Sequence, residues 1–350
     1  MIRLRDVAEA AGVSVGTASK VLNTGTDLDR ISPQCIERVR AAAGKLGYER
    51  NYHASSLQTG RADAIGVVLL PARNEGLGGS FWSPMVGGMD IEVRARGRHF
   101  VIVGRSENLG EVHNGLRFLD ERRVDALIVP GYIAAGLGGV PALARSGAPI
   151  VLTEHEAQTS LPVVNLDAGT GIREAVKHLH ELGHRELLWV GPAPDDALTA
   201  GRRDAFLAEA QARQVTTRDV FLVSASAARS DMMKAARQAV LDVSRDGFSH
   251  TAAVCFSEPV AFGVYAAAAE LGLKIPADLS VVGFDDFQPD LALPPMTEVG
   301  HMLVDIGRRA VALAVEMIED PDAWQRLRGH RETVPSRLSV RESTGPAPRR

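Results

Sequence analysis

The sequence predicts an α/β protein: a small all-α domain at the N-terminus, followed by a two-lobed α/β domain built on parallel sheets. Three observations carry this. Apolar residues recur at helical spacing between cap signals over residues 1–48. From residue 63 onward, short apolar runs alternate with helix-length amphipathic segments, the sequence form of repeated βαβ units. The alternation comes as two consecutive runs, which predicts two lobes with a cleft between them. A chain of 350 residues is long enough for two or three units that each bury a core.

The all-α domain reads as three short helices. Leu4, Val7, Ala8 and Ala11 share one face of the first; Gly12 and Val13 break it, and Ser14 caps a second helix running to Leu22. The third starts at Ser32 with Pro33 in its first turn, repeats Ile36, Val39, Ala43 and Leu46, and stops at Gly47. The net charge of −4 hides an uneven distribution: residues 1–62 hold nine Lys or Arg against six Asp or Glu, and the remainder 30 against 37. The basic end is therefore the candidate nucleic-acid face.

Residues 49–62 lose the pattern. They are polar and mixed, with Leu57 the one aliphatic side chain larger than alanine, and read as a linker or a helix that forms conditionally. Beyond them AIGVVLL, HFVIVG, DALIVP and PIVLT alternate with helical segments, and the same rhythm resumes at VVNL and runs through ELLWVG, TAAVCF and LSVVGFDD. The terminal GPAPRR reads as a frayed tail.

Several classes are set aside by what the chain lacks. No stretch approaches the roughly 18 apolar residues of a membrane span, and MIRLRDVAEA has no signal-peptide core, so the expectation is a cytoplasmic protein without a membrane partner. Cys35 and Cys255 stand in unrelated contexts, which argues for reduced, packed thiols rather than a disulfide or a metal site. The string His180-Glu181-Leu182-Gly183-His184 matches a zinc-protease motif, but Gly183 should end the helix and leave His184 in the turn beyond it. The glycine clusters at 76–79 and 136–139 have neither a Walker lysine nor dinucleotide spacing. Asp285 and Asp286 follow a strand with no nucleophile beside them, so neither an enzyme nor a cofactor is expected.

The blocks LRDVAEAAGVSVGTASKVLN at 4–23, ISPQCIERVRAAAGKLGY at 31–48, VKHLHELGHRELLWVG, IPADLSVVGFDD and SVREST occur in an order that resembles the lactose-repressor/galactose-repressor (LacI/GalR) family of bacterial regulators. The resemblance implies a helix-turn-helix domain over 1–48, a hinge over 49–62 and a periplasmic-binding-protein-like sensor over 63–345, with 346–350 as tail. The lobes would be about 63–162 with 297–325, and about 163–296 with 330–342. It also implies a repressor that binds double-stranded operator DNA as a homodimer.

A helix-turn-helix presents the N-terminal side chains of its second helix to base edges in the major groove. The exposed positions here would be Ser14, Val15, Gly16, Thr17, Ser19 and Lys20. By resemblance Val15, Gly16 and Lys20 read bases, while Thr17 and Ser19 meet phosphates. Val15 offers only apolar contact, for instance to a thymine methyl, so Lys20 carries the hydrogen-bonded readout. Leu57 matches the residue that wedges into the minor groove from the hinge helix. Arg50 in place of proline, bulky Tyr52 and His53, and Ser55 in place of arginine depart from the common hinge.

Ligands of α/β sheets sit beyond the carboxyl ends of the strands. The loops there carry Phe81, Trp82, Asp196, Arg202, Ser257, Glu258 and Asp285. By resemblance Phe81 and Trp82 form an aromatic wall, and Arg202 and Asp285 hold the hydroxyls of a sugar or other small polar effector. Ser257-Glu258, where the family has Asn-Asp, and Asp196, where a basic residue is usual, are departures. The alternative is a regulator of the same build with no small effector, governed by a protein partner or by abundance; ligand-induced thermal stabilisation separates the two.

Overall fold

The computed structural model describes residues 2–24, 28–48, 60–69, 82–104, 111–131, 139–195, 197–222, 229–245, 249–320 and 322–349. The chain divides into two compact units, Met1–Ala64 with Phe118–Asp125, and Ile65–Arg117 with Ala126–Arg350.

In the first unit α1 (Leu4–Ala11), α2 (Val15–Ser19) and α3 (Pro33–Leu46) enclose a core of Val7, Ala8, Ala11, Ala18, Val21, Val39 and Ala43. The cap signals act as the sequence reading expects. Gly12 ends α1 at φ 65°, Ser32 Oγ accepts from the backbone N–H of Cys35, and Gly47, again at φ 65°, closes α3. The second helix is shorter than expected, because after Ser19 the chain widens into a π-helical turn over Lys20–Thr24.

The second unit holds two six-stranded sheets, ordered β11-β5-β4-β3-β1-β2 and β12-β10-β9-β8-β6-β7. The first sheet is made of β1 (Ala64–Val68), β2 (His99–Val103), β3 (Ala126–Pro130), β4 (Ile150–Thr153), β5 (Val163–Asp167) and β11 (Arg331–Pro335). The second is made of β6 (Glu186–Gly191), β7 (Thr216–Phe221), β8 (Ala252–Cys255), β9 (Ser280–Asp285), β10 (Thr297–Gly300) and β12 (Arg337–Ser339). The recorded pairings are parallel except that of β10 with β12. Central strands such as β1, β3, β4 and β8 are buried along their whole length, as parallel strands covered on both faces by helices must be.

In chain order the helices of this unit are α4 (Trp82–Ala95), α5 (Glu111–Asp120), α6 (Gly139–Arg145), α7 (Ala168–Glu181), α8 (Ala197–Ala212), α9 (Arg229–Ser244), α10 (Glu258–Glu270), α11 (Leu303–Glu319) and α12 (Ala323–Arg326). One core joins Ile65, Val67, Ile128 and Val151 to Met85 and Met89 of α4 and to Ile306, Ala310 and Val311 of α11. The other joins Leu188, Trp189, Val254, Val282 and Phe284 to Ile172 and Val176 of α7, Phe206 of α8 and Val260 of α10. Helices α4 and α11 meet almost backbone to backbone: a Cβ on Gly88 would lie 2.1 Å from the Val304 carbonyl oxygen, and one on Gly307 2.3 Å from that of Met85.

The chain passes between the sheets after Asp167, after Gly300 and at Ser336. This corrects the expected lobe limits in three places. β5 at 163–167 and β11 at 331–335 belong to the first sheet, and β10 at 297–300 to the second. An apolar run does not say which sheet it joins; strand pairing decides that, as with Val163↔Arg331 and Thr297↔Val282. The tail also differs from expectation. Gly345 is hydrogen-bonded through its N–H to Ser280 Oγ, and the N–H of Ala347 donates to the carbonyl of Leu182. Order therefore extends past the expected limit at residue 345, because the backbone there finds partners in the second lobe.

Candidate nucleic-acid interface and sensor cleft

The second helix of the N-terminal unit is held at its start by Ser14. Its Oγ accepts from the Thr17 N–H at 3.0 Å and lies 2.9 Å from Thr17 Oγ1, leaving the first turn facing outward. Ser14, Val15, Gly16 and Lys20 are exposed and Thr17 is half-buried, so the accessible positions extend from the N-cap to the π-helical turn that follows α2. Gly16 is not demanded by packing, since the nearest atom to a Cβ there would be Ser14 Oγ at 3.8 Å. Ser19 is different. It is buried beside Ala18, which removes it from the surface expected of it. In so small a bundle the helix buries two successive positions, narrowing the face left for DNA. Leu57 lies outside the described residues.

A buried polar cluster stands at the carboxyl ends of strands from both sheets. Arg202 projects from α8 and is 3% exposed. Its guanidinium lies 3.7 Å from the Phe284 ring centre, its Nη1 donates to the Phe256 carbonyl at 2.8 Å, and the same nitrogen is 3.9 Å from Asp285 Oδ1. Asp285 ends β9 with φ 110°, a left-handed backbone that a non-glycine residue adopts only where its surroundings impose it. Asp285 Oδ1 is in turn 3.2 Å from Nδ1 of His301, and Nε2 of His301 is 3.3 Å from Glu154 Oε2. Glu154 follows β4 and accepts the Leu166 N–H with its other oxygen.

A continuous polar chain, Arg202–Asp285–His301–Glu154, thus runs from the second sheet to the first. Phe284 meets the His301 ring edge-on, and Phe287 stacks on it at 17° between planes. Burial pulls the His301 pKa down, but the hydrogen bonds to Asp285 and Glu154 outweigh it and hold the ring above its ordinary value.

Ser257 stands at the N-cap position of α10 without a side-chain cap; it is buried, and its Oγ has no hydrogen-bond partner among the described residues. Nε2 of His155, also buried, is likewise unpartnered. Burial holds the His155 imidazole below its ordinary pKa, so it is neutral at pH 7. Both atoms are candidates for contact with a bound molecule.

Glu258, expected among the ligand contacts, is fully buried and committed elsewhere: one oxygen accepts from Arg229 Nη2 at 2.6 Å, the other from the Gln288 N–H. Its role in this structure is to fix the start of α10 against α9 and the loop after β9. Trp82, expected on an aromatic wall, packs at 3% exposure with Met85 and Met89 in the first-lobe core. The aromatic surfaces beside the polar chain come instead from Phe256, Phe284 and Phe287. Phe81 and Asp196 lie outside the described residues.

Sequence reasoning missed Glu154 and His301. Neither belongs to a recognisable motif; Glu154 directly follows the apolar run PIVLT, which was the available signal, whereas His301 follows Thr297-Glu298-Val299-Gly300, which offers none. His184 sits in the turn as expected, its ring between Thr251 Oγ1 at 2.8 Å and the Gly345 carbonyl at 3.0 Å, so both nitrogens serve packing.

An exposed, capped second helix in a basic three-helix unit, carried on the same chain as a two-sheet α/β unit, defines a DNA-binding transcription regulator. The chain belongs to the lacI family of bacterial regulatory proteins, whose family model matches residues 3–51, and a periplasmic binding protein-like domain matches residues 176–344. A helix-turn-helix transcriptional regulator encoded in the aml 5′ region of Streptomyces limosus is 33% identical, over 90% of this chain and 88% of its own. The regulator CelR of Thermobifida fusca is 31% identical over 97% of each chain. Among solved structures, the lac repressor dimer bound to operator and the anti-inducer ONPF shares the fold at TM-score 0.71 and 24% identity, over 98% of this chain and 99% of that one. The CelR–cellobiose complex shares it at TM-score 0.64 and 24% identity, over 98% and 100%. Among the described residues no helix is long and apolar enough to cross a membrane.

Proposed function

We propose that this regulator is a repressor that binds a near-palindromic operator as a homodimer and responds to a small polar effector, a sugar or sugar derivative, held between the two lobes. The observation that carries the reading is the buried chain Arg202–Asp285–His301–Glu154, which sets fixed charged hydrogen-bonding groups against aromatic rings at the carboxyl ends of strands from both sheets. Such a surface suits a polyhydroxylated ring, whose apolar face stacks while its hydroxyls pair with ionised groups. Ser257 Oγ and His155 Nε2 add two unsatisfied polar atoms. The cellobiose complex of CelR supports a carbohydrate.

On the DNA side, Lys20 and Val15 read base edges, Gly16 permits close approach, and Ser14 and Thr17 meet phosphate. Two-fold pairing of half-sites follows from the short reach of one recognition helix. The test selects bound sequences from random DNA, then screens monosaccharides and disaccharides by thermal shift and titrates each hit against operator binding. A palindromic consensus whose occupancy changes with one sugar is expected. A single asymmetric half-site bound by monomer, or no stabilisation by any sugar, would overturn the corresponding half of the proposal.

A further inference from the structure

We propose that His301 is a proton-dependent latch between the two lobes: its doubly protonated ring ties Glu154, on the first sheet, to Asp285, on the second, and rising pH releases the tie. The argument starts from donor counting. An ionised carboxylate only accepts hydrogen bonds, and a neutral imidazole carries a single N–H. Nδ1 of His301 faces Asp285 Oδ1 at 3.2 Å and Nε2 faces Glu154 Oε2 at 3.3 Å, so only the imidazolium satisfies both contacts at once. In the neutral ring one nitrogen would direct its lone pair at a carboxylate oxygen.

The Glu154 carboxylate is anchored to the first sheet, and Asp285 is the last residue of β9 in the second. Glu154 accepts the Leu166 N–H at 3.0 Å through Oε1, and its own N–H donates to the Val164 carbonyl. The Asp285 carbonyl accepts the His301 N–H at 3.2 Å. His301 itself lies where the chain leaves β10 and enters α11, one of the passages between sheets. Any relative movement of the lobes must therefore stretch a contact of this ring.

The surroundings favour the charged ring at neutral pH. Facing it are Glu154 from the first lobe, Asp285 from β9 and the Arg202 guanidinium from α8. Asp286, the next acid along, is paired with Arg341 at 2.7 Å. The two carboxylates oppose one arginine, so the site needs a further positive charge, and Phe284 and Phe287 keep water from supplying the missing partner. The sign follows from a raised folded-state pKa. The tie is fully made below the ordinary imidazole range and is lost as pH climbs through the raised value. Its consequence for DNA binding rests on the sensor reading above; the latch itself does not.

The test measures the distance between spin labels on Ala95→Cys in the first lobe and Ala269→Cys in the second, both exposed positions, by pulsed electron resonance on the full chain. Cys35→Ser removes the accessible thiol, buried Cys255 stays, and excess unlabelled chain ensures one labelled copy per assembly. Neither operator nor sugar is added, so failure here is distinguishable from failure of the proposed function. The expected result is one short distance at pH 6 and a growing longer population towards pH 9, with the pH dependence abolished in His301→Gln. Glu154→Gln, which keeps the ring, should move the transition to lower pH by at least about tenfold in proton concentration. A wild-type distance that does not change with pH, a His301→Gln protein that opens over the same range, or an unmoved midpoint in Glu154→Gln overturns the latch.

Discussion

The Ser336 hydroxyl donates to the Asp167 carbonyl at 2.7 Å and accepts the Gly171 N–H at 2.8 Å, tying together two of the places where the chain passes between the sheets. Ser336 is fully buried, so Ser336→Ala leaves the Gly171 amide without its side-chain acceptor, while the Asp167 carbonyl keeps the backbone N–H of residue 336 at 3.0 Å; the loss should be about 1–3 kcal/mol. Gly171→Ala should cost more, since a Cβ there would stand 2.4 Å from Val299 Cγ1. Urea unfolding of the two variants checks this; equal stability of Ser336→Ala and wild type would show that the bond does not hold the crossover.

Substitutions on the exposed turn should separate folding from DNA reading. Gly16→Ala fills open space and replaces the poorest non-proline helix former, so the N-terminal unit should gain up to about 1 kcal/mol while operator binding weakens. Lys20→Ala should relax base preference by roughly 1–3 kcal/mol at the positions it reads. Competition binding against single-base operator variants, beside thermal melts, measures both. Unchanged operator discrimination in both variants would remove this helix from the interface.

Arg202→Ala should bind operator normally and lose the response to the effector. The guanidinium both faces Asp285 and spans the Phe256 carbonyl and the Phe284 ring, so its removal strips the cleft of its fixed cation. The cost in ligand affinity should be on the order of 1–3 kcal/mol. Calorimetric titration of variant and wild type, with and without operator, provides the comparison. Equal affinity in the two proteins would exclude the arginine from the site, and equal affinity with and without operator would mean the ligand is not an allosteric effector.

Glu298 should make stability fall as pH rises. It lies on β10 with no exposed surface, and neither carboxyl oxygen has a hydrogen-bond partner among the described residues. Burial first, and then the neighbouring Glu258, Asp285 and Asp286, push its pKa up to about 10. A carboxyl held neutral in the fold but free to ionise when unfolded favours the folded state most below its unfolded pKa. That contribution is lost progressively as pH climbs toward the folded value, at most about 1.4 kcal/mol per pH unit. Glu298→Gln should flatten this slope between pH 6 and 9 and change little at pH 4. Unfolding free energies across that range check it, with parallel pH curves for the two proteins as the adverse outcome.

Local features were legible in the residues themselves. Ser14, Ser32, Gly12 and Gly47 bound the N-terminal helices because a cap acts on amides or carbonyls three or four residues away. The βαβ rhythm was legible because a strand buried on both faces must be continuously apolar. His184 is legible as a turn residue because one glycine suffices to end a helix. Arg202 and Asp285, named from resemblance, stand 3.9 Å apart.

The sequence by itself determined the class of each unit, the helix limits within a residue or a turn, and the basic character of the DNA-binding end. Only the tertiary structure decided which sheet received β5, β10 and β11, that Ser19, Trp82 and Glu258 turn inward, and that Glu154 meets His301 across 147 positions of chain. Caps and periodicity rest on interactions within one or two helical turns, so their causes are adjacent in sequence. Strand order, burial and the pairing of distant charges rest on which surfaces the folded chain brings together, and no single segment contains both halves of such a contact.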